Sequence, residues 1–108
     1  MAQKVNIVID QGTTFNTTFT IEDDTGTPID FTTYSANSQM RKSYTSSTAY
    51  TFDTSLASNG VITLSMSANT TGNITAGRYL YDLEVQDGSG IRSRLVEGIV
   101  TVTPQITR

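Results

Sequence analysis

The sequence predicts an all-β fold, an antiparallel β-sandwich of about seven to nine strands. Three observations predict it. Apolar and polar residues alternate at period two along most of the 108 residues. Turn residues punctuate those runs at Gln11-Gly12, Asp23 to Gly26, Asn59-Gly60 and Gln86 to Gly90. No stretch carries the helical period over the length of an ordinary helix. Nothing marks a linker or an internal repeat, so residues 1–108 read as one sandwich domain. A closed barrel is the alternative way to close such strands.

Val5, Ile7 and Ile9 alternate with Asn6, Val8 and Asp10, giving a first strand. Phe15, Thr17, Phe19 and Ile21 continue the alternation after Gly12. Gln11-Gly12 is a break and Thr13 to Glu22 reads as a second strand; one long strand bent at Gly12 and switching between sheets is the alternative. Asp23-Asp24-Thr25-Gly26 supplies turn chemistry. Ile29 and Phe31 follow it and are expected to cap one end of the core. Tyr34 to Lys42 forms a weakly apolar strand with Ala36, Ser38 and Met40 facing in. Ser43 to Ala49 has no pattern and reads as a loop. Tyr50, Phe52 and Thr54 form a short strand. Asn59-Gly60 is a tight turn, and Ile62, Leu64 and Met66 mark the strand after it. Ser67 to Asn73 is long enough for one helical turn.

Asn73 to Val85 is the stretch the other strands must match. Ile74, Gly77 and Tyr79 form a corner. Tyr79, Tyr81, Leu83 and Val85 then make one apolar row. In immunoglobulin-like sandwiches a tyrosine at such a corner hydrogen-bonds the backbone just upstream, so the sandwich is expected to be immunoglobulin-like. Gln86 to Gly90 is a hairpin turn, and Ile91 to Thr103 is the partner strand. Its apolar parity changes near Glu97-Gly98, which predicts a β-bulge there. The expected core is Ile7, Phe15, Phe19, Ile21, Phe31, Met40, Phe52, Ile62, Leu64, Met66, Ile74, Tyr79, Tyr81, Leu83, Val85, Leu95, Val100 and Val102.

Composition excludes several kinds of chemistry. The chain has no Cys and no His. It therefore has no disulfide, no thiol nucleophile and no imidazole to act as metal ligand or neutral-pH base. Seven Lys and Arg stand against ten Asp and Glu, a net charge of -3. An acidic chain without a basic run is a poor partner for nucleic acid, where binding begins with phosphate neutralisation. Residues 1–15 lack the apolar core of a signal peptide, and no segment approaches ~20 apolar residues. Synthesis in a cytoplasm and no membrane partner are the expectation.

Candidate sites are few. Asp23, Asp24, Asp30, Asp82 and Asp87 could supply oxygen ligands to calcium, but their spacing is irregular and turns use Asp for themselves. Ser and Thr are abundant, yet no base is placed to activate one; Lys4 and Lys42 are the only lysines. No catalytic residue, no cofactor and no metal site is assigned, and an enzyme is not expected. Three Asn-X-Thr matches, at Asn16, Asn69 and Asn73, are chance in a Thr-rich chain without a signal sequence. Tyr34, Tyr44 and Tyr50 lie in or beside the polar loop and could form an aromatic platform for sugars or a partner protein, with Tyr44 and Tyr50 as candidate partner contacts. Arg92 and Arg94 are the others, and they also read as a solvated strand face pairing with Glu84 or Asp82 across the hairpin.

In order along the chain, several runs form a family pattern. They are Gln11-Gly12-Thr13-Thr14-Phe15, Phe19-Thr20-Ile21, Asp24-Thr25-Gly26-Thr27-Pro28-Ile29-Asp30-Phe31 and Met40-Arg41. Gly60-Val61-Ile62-Thr63-Leu64, Ile74 to Leu83 and Gly98-Ile99-Val100-Thr101-Val102 complete them. This order resembles the immunoglobulin-like domains of tailed-phage virion proteins, in particular the N-terminal domain of baseplate upper proteins and related short tail or neck proteins. The resemblance implies a non-enzymatic structural role on tail, baseplate or neck. It implies other virion proteins as partners, in a symmetric homo-oligomeric or ring-like arrangement, and a place in the virion after synthesis in the host cytoplasm. A capsid decoration protein is one alternative. A carbohydrate-binding module touching the host surface through Ser43 to Tyr50 is another. Terminal strands Val5 to Ile9 and Ile99 to Thr103 are the expected sites of strand addition.

Overall fold

The structure, a computed structural model, describes residues 3–23, 25–43 and 45–106. In chain order the elements are β1 (Gln3–Lys4), β2 (Ile7–Asp10), β3 (Phe15–Thr20), β4 (Ser35–Arg41) and β5 (Tyr50–Thr51). They continue with β6 (Asp53–Leu56), β7 (Val61–Met66), the single-turn helix α1 (Ala68–Gly72), β8 (Gly77–Gln86) and β9 (Arg92–Thr103). Two sheets face each other. The larger runs β1-β9-β8-β4-β5 with β2 also on β9, and the smaller runs β3-β7-β6. This is a sandwich with immunoglobulin-type strand order.

Both lateral corners are made by strands that change sheets. At the first, β2 ends in the larger sheet and β3 begins in the smaller one. Gly12 turns the chain between them with φ +83°, a conformation that costs glycine nothing. Polar bonds fix this corner to the opposite end of the chain. Gln11 Nε2 donates to Ile74 O at 2.8 Å, and Gln11 Oε1 accepts from the Gln105 amide at 3.0 Å. The buried Thr71 hydroxyl donates to Thr13 O at 2.7 Å and accepts from the Gly12 amide at 3.1 Å. The short helix, capped by Ser67, exists to place Thr71 there. At the second corner, the predicted strand Tyr50 to Thr54 divides at Phe52, whose amide still donates to Ser38 O at 2.9 Å. Tyr50 and Thr51 stay with β4, and Asp53 onward joins β7.

The sandwich is not wholly antiparallel. β1 and β2 run parallel to β9, with Ile7 opposite Val100 and Ile9 opposite Val102. Ile99 to Thr103 is therefore internal, held between β8 and β2, and offers no free edge. The remaining ladders are antiparallel.

The core is the inward row of each strand. Tyr79, Tyr81, Leu83 and Val85 of β8 lie beside Met40, Val96, Val100 and Val102, and face Phe52, Ile62, Leu64 and Met66 across the sandwich. Phe15, Phe19, Ile21 and Leu95, expected in the core, are only half-buried, the first two because β3 is an edge. Ile9 and Val96 are completely buried and were outside the expected set. Phe31 caps one end as expected, with Tyr34 packed edge-on at 5.1 Å.

The β-bulge lies at Leu95, two residues before the predicted site. Leu83 pairs with Val96 and Glu84 with Arg94, so Leu95 has no partner on β8. Val96, Gly98, Val100 and Val102 keep one parity throughout. Near the centre, Ser38 is buried and its hydroxyl donates to Asp82 O at 2.5 Å. Ser38→Ala is expected to cost about 1 kcal/mol, visible as a lower denaturant midpoint with an unchanged m-value.

Candidate functional site

The tyrosine corner forms as expected. Tyr79 Oη donates to Thr75 O at 2.6 Å. The ring is packed edge-on by Tyr50 at 5.9 Å and covered by Lys42 Nζ at 4.7 Å from its centroid. Tyr50 is thus part of the sandwich end. Tyr34 lies at the other end of β4 against Phe31, so Tyr34 and Tyr50 build no common platform. Tyr44 lies outside the described residues.

Among the described residues an open groove of ≈ 530 Å³ lies on the outer face of the larger sheet. Most of its residues come from the outward rows of β4, β8 and β9, with Lys4 of β1 and Asn6 at one side. Leu80 and Ile99, paired across the ladder, give it an apolar floor. Asp82, Glu84 and Glu97 supply negative charge, and Lys4, Arg41 and Arg94 positive charge. Arg94 Nε lies 3.4 Å from Asp82 Oδ2, and its Nη1 lies 3.3 Å from Glu97 Oε2. Residues three apart in a regular strand face opposite ways; the bulge at Leu95 turns Arg94 and Glu97 to the same side. Arg41 is held by Ser46 O at 2.6 Å and Gln39 Oε1 at 3.0 Å. Arg92 sits outside this cluster, donating to Gln86 Oε1 at 3.0 Å. Of the predicted contact residues that the structure describes, Tyr50, Arg92 and Arg94, only Arg94 belongs to the groove. The groove was not foreseen, although Leu80, Asp82, Glu84, Glu97 and Ile99 share one parity on two adjacent predicted strands.

Burial pushes the Asp82 carboxyl up, and Glu84 and Glu97 add to that, against the downward pull of Arg94 and Arg41. The other acids serve turns. Asp23 Oδ1 accepts from the amides of Thr25 at 2.9 Å and Thr27 at 3.0 Å and from the Thr25 hydroxyl, which together hold its pKa down. Asp87 Oδ1 accepts from the amides of Ser89 at 2.8 Å and Ile91 at 3.0 Å. Asp24 lies outside the described residues. Among the described residues no three acids gather in a way that could hold a metal ion. No helix among them is long and apolar enough to cross a membrane.

Tyr81 borders the groove from inside. Its hydroxyl donates to Val5 O at 2.6 Å, and burial pushes its phenol up to about 12. A phenol raised above its ordinary value lends stability that is complete below pH ~10 and is lost as pH rises through its folded pKa. Stability is therefore expected to fall between about pH 10 and 12. Tyr81→Phe, weaker at neutral pH by one hydrogen bond, is expected to fall less steeply there in alkaline denaturation followed by circular dichroism.

No protein-family model matches the sequence, and neither does any curated protein. Among solved structures, one similar chain is a family 123 glycoside hydrolase from Clostridium perfringens, described for glycolipid glycan hydrolysis. The match has TM-score 0.46 and 11% identity, and covers 97% of this chain and 24% of the hydrolase. At that level it carries no argument about activity. Fold and site together define an all-β sandwich of immunoglobulin-like order, with an open charged groove on one face.

Proposed function

We propose that this chain is a non-enzymatic structural protein of a tailed-phage virion, assembling on tail, baseplate or neck through protein–protein contacts. One observation carries the reading. The outer face of the larger sheet presents Leu80, Ile99 and the exposed Val8 beside three acids and three bases, with no activated nucleophile among them. Apolar contact flanked by balanced charge suits a protein partner, with the charges setting register and the apolar strip supplying burial. The family resemblance points the same way and gives the particle as the setting.

The test is composition of the particle. Virions propagated on the strain carrying the gene are purified on a density gradient and analysed by mass spectrometry. Stoichiometric recovery of this chain supports the reading, and its absence overturns it. Added density on the head, seen by particle imaging, would assign it to capsid decoration instead.

A further inference from the structure

We infer that the free edge of β3 is a self-recognition surface, on which a second copy of this chain adds its own β3 antiparallel about a twofold axis at Thr17. The inference concerns the isolated chain and does not rest on the assignment to a virion.

β3 ends the smaller sheet; among the described residues it pairs only with β7. The Ile21 amide donates to Gly60 O at 2.8 Å, which fixes the alternation of the ladder. Phe15, Thr17 and Phe19 exchange their backbone bonds with β7. The N–H and C=O groups of Asn16, Thr18 and Thr20 point to the open side. They form a template for another strand.

Edge strands usually carry features that block such pairing, and the other edges here do. β1 contains Lys4 and β2 ends at Asp10. β5 has two residues, and β6 begins with Asp53. β3 has six residues, Phe-Asn-Thr-Thr-Phe-Thr, with no charge and no proline. It is the longest of these edges and the one left unprotected.

The sequence of that edge also identifies the occupant. Phe15-Asn16-Thr17-Thr18-Phe19 reads aromatic, polar, Thr, polar, aromatic in both directions. With the twofold axis at Thr17, Phe15 lies opposite Phe19 of the second copy. Asn16 lies opposite Thr18, and Thr17 opposite itself. Aromatic–aromatic and Thr–Thr pairs are among the favourable cross-strand pairs, and no like charges meet. Asn16 and Thr18 then exchange about four main-chain hydrogen bonds across the axis. The half-buried inward residues Phe15 and Phe19 gain cover from the added strand. A twofold, self-complementary contact of this kind closes on a dimer.

The test is sedimentation velocity on the purified protein over a concentration series. The wild type is expected to shift from monomer to dimer as concentration rises. Asn16 and Thr18 are exposed, so N16K/T18K leaves the monomer intact and sets lysine against lysine across the axis. It is expected to weaken dimerisation by at least about tenfold. Because the chain has no Cys, Thr17→Cys adds a single thiol at the axis. Mild oxidation is expected to link it into a dimer much faster than Ser89→Cys at the distant hairpin turn. A monomer at every concentration overturns the proposal. So does N16K/T18K associating like the wild type, or Thr17→Cys cross-linking no faster than Ser89→Cys. Particle composition is a separate measurement, so failure of the dimer and failure of the virion reading are distinguishable.

Discussion

Tyr79→Ala is expected to destabilise the protein by about 3–5 kcal/mol, the range for emptying a buried aromatic site. The side chain is 4% exposed and does three jobs at once. Its ring fills the end of the sandwich between Tyr50 and Lys42, and its hydroxyl ties β8 to the Thr75 carbonyl. Alanine leaves a cavity, frees the Lys42 ammonium and strips a carbonyl of its donor. In a domain of this size that corresponds to a fall in melting temperature of roughly 12–20 °C. Tyr79→Phe keeps the ring and removes one hydrogen bond, so its expected cost is about 1–2 kcal/mol. Thermal melts of both variants check the assignment. If Tyr79→Ala melted within a few degrees of wild type, the corner would not be holding the fold together.

Gly98→Val is expected to cost about 3 kcal/mol, at the upper end of what overpacking does. Gly98 lies directly opposite Tyr81 on β8. A Cβ built there would overlap the Val5 carbonyl oxygen, the same atom that accepts from Tyr81 Oη. The missing side chain lets the first strand settle against β9, and Tyr81 then reaches over the gap and fastens it. Asn6 adds to this by accepting from the Ile99 amide at 3.2 Å. Valine must push Val5 away, so it loses the Tyr81 bond as well as the packing. Hydrogen exchange is expected to rise first at Val5, Ile7 and Ile9, before β4 or β7 respond. Uniform exchange across the protein would count against this local account.

Elements whose signal is local were legible in the sequence. The period-two row Tyr79 to Val85, the Gly12 switch, the Asn59-Gly60 turn and the single helical turn before Asn73 each sit within a few residues of their cause. What depended on distant partners was not legible. Alternation in Val5 to Ile9 identifies a strand but not its parallel pairing with β9, which encloses Ile99 to Thr103. The bulge was misplaced because Leu95 and Val96 are both apolar, and either could have faced in; the ladder with β8 chooses Val96. Gln11 and Thr71 carry no signature that would link them to Gln105 and Thr13. The groove was hidden for a related reason. Its charges are spread over four strands, and the bulge that gathers Arg94 with Glu97 lies two residues before the parity change that predicts one.

The bulge at Leu95 also sets what the lineage of this sequence can change. Because Leu95 stands outside the ladder with β8, it is a spare residue in the counting of β9 against that strand. Deleting it would leave Arg94 facing out and Val96 facing in, so the core would keep its membership. The same deletion elsewhere in β9 would turn every later side chain to the wrong side. A length change is thus survivable at one address in this strand. Its cost would fall on the reach from Arg94 to Glu97, leaving the groove's ion pairs free to drift while the sandwich beneath them stays fixed.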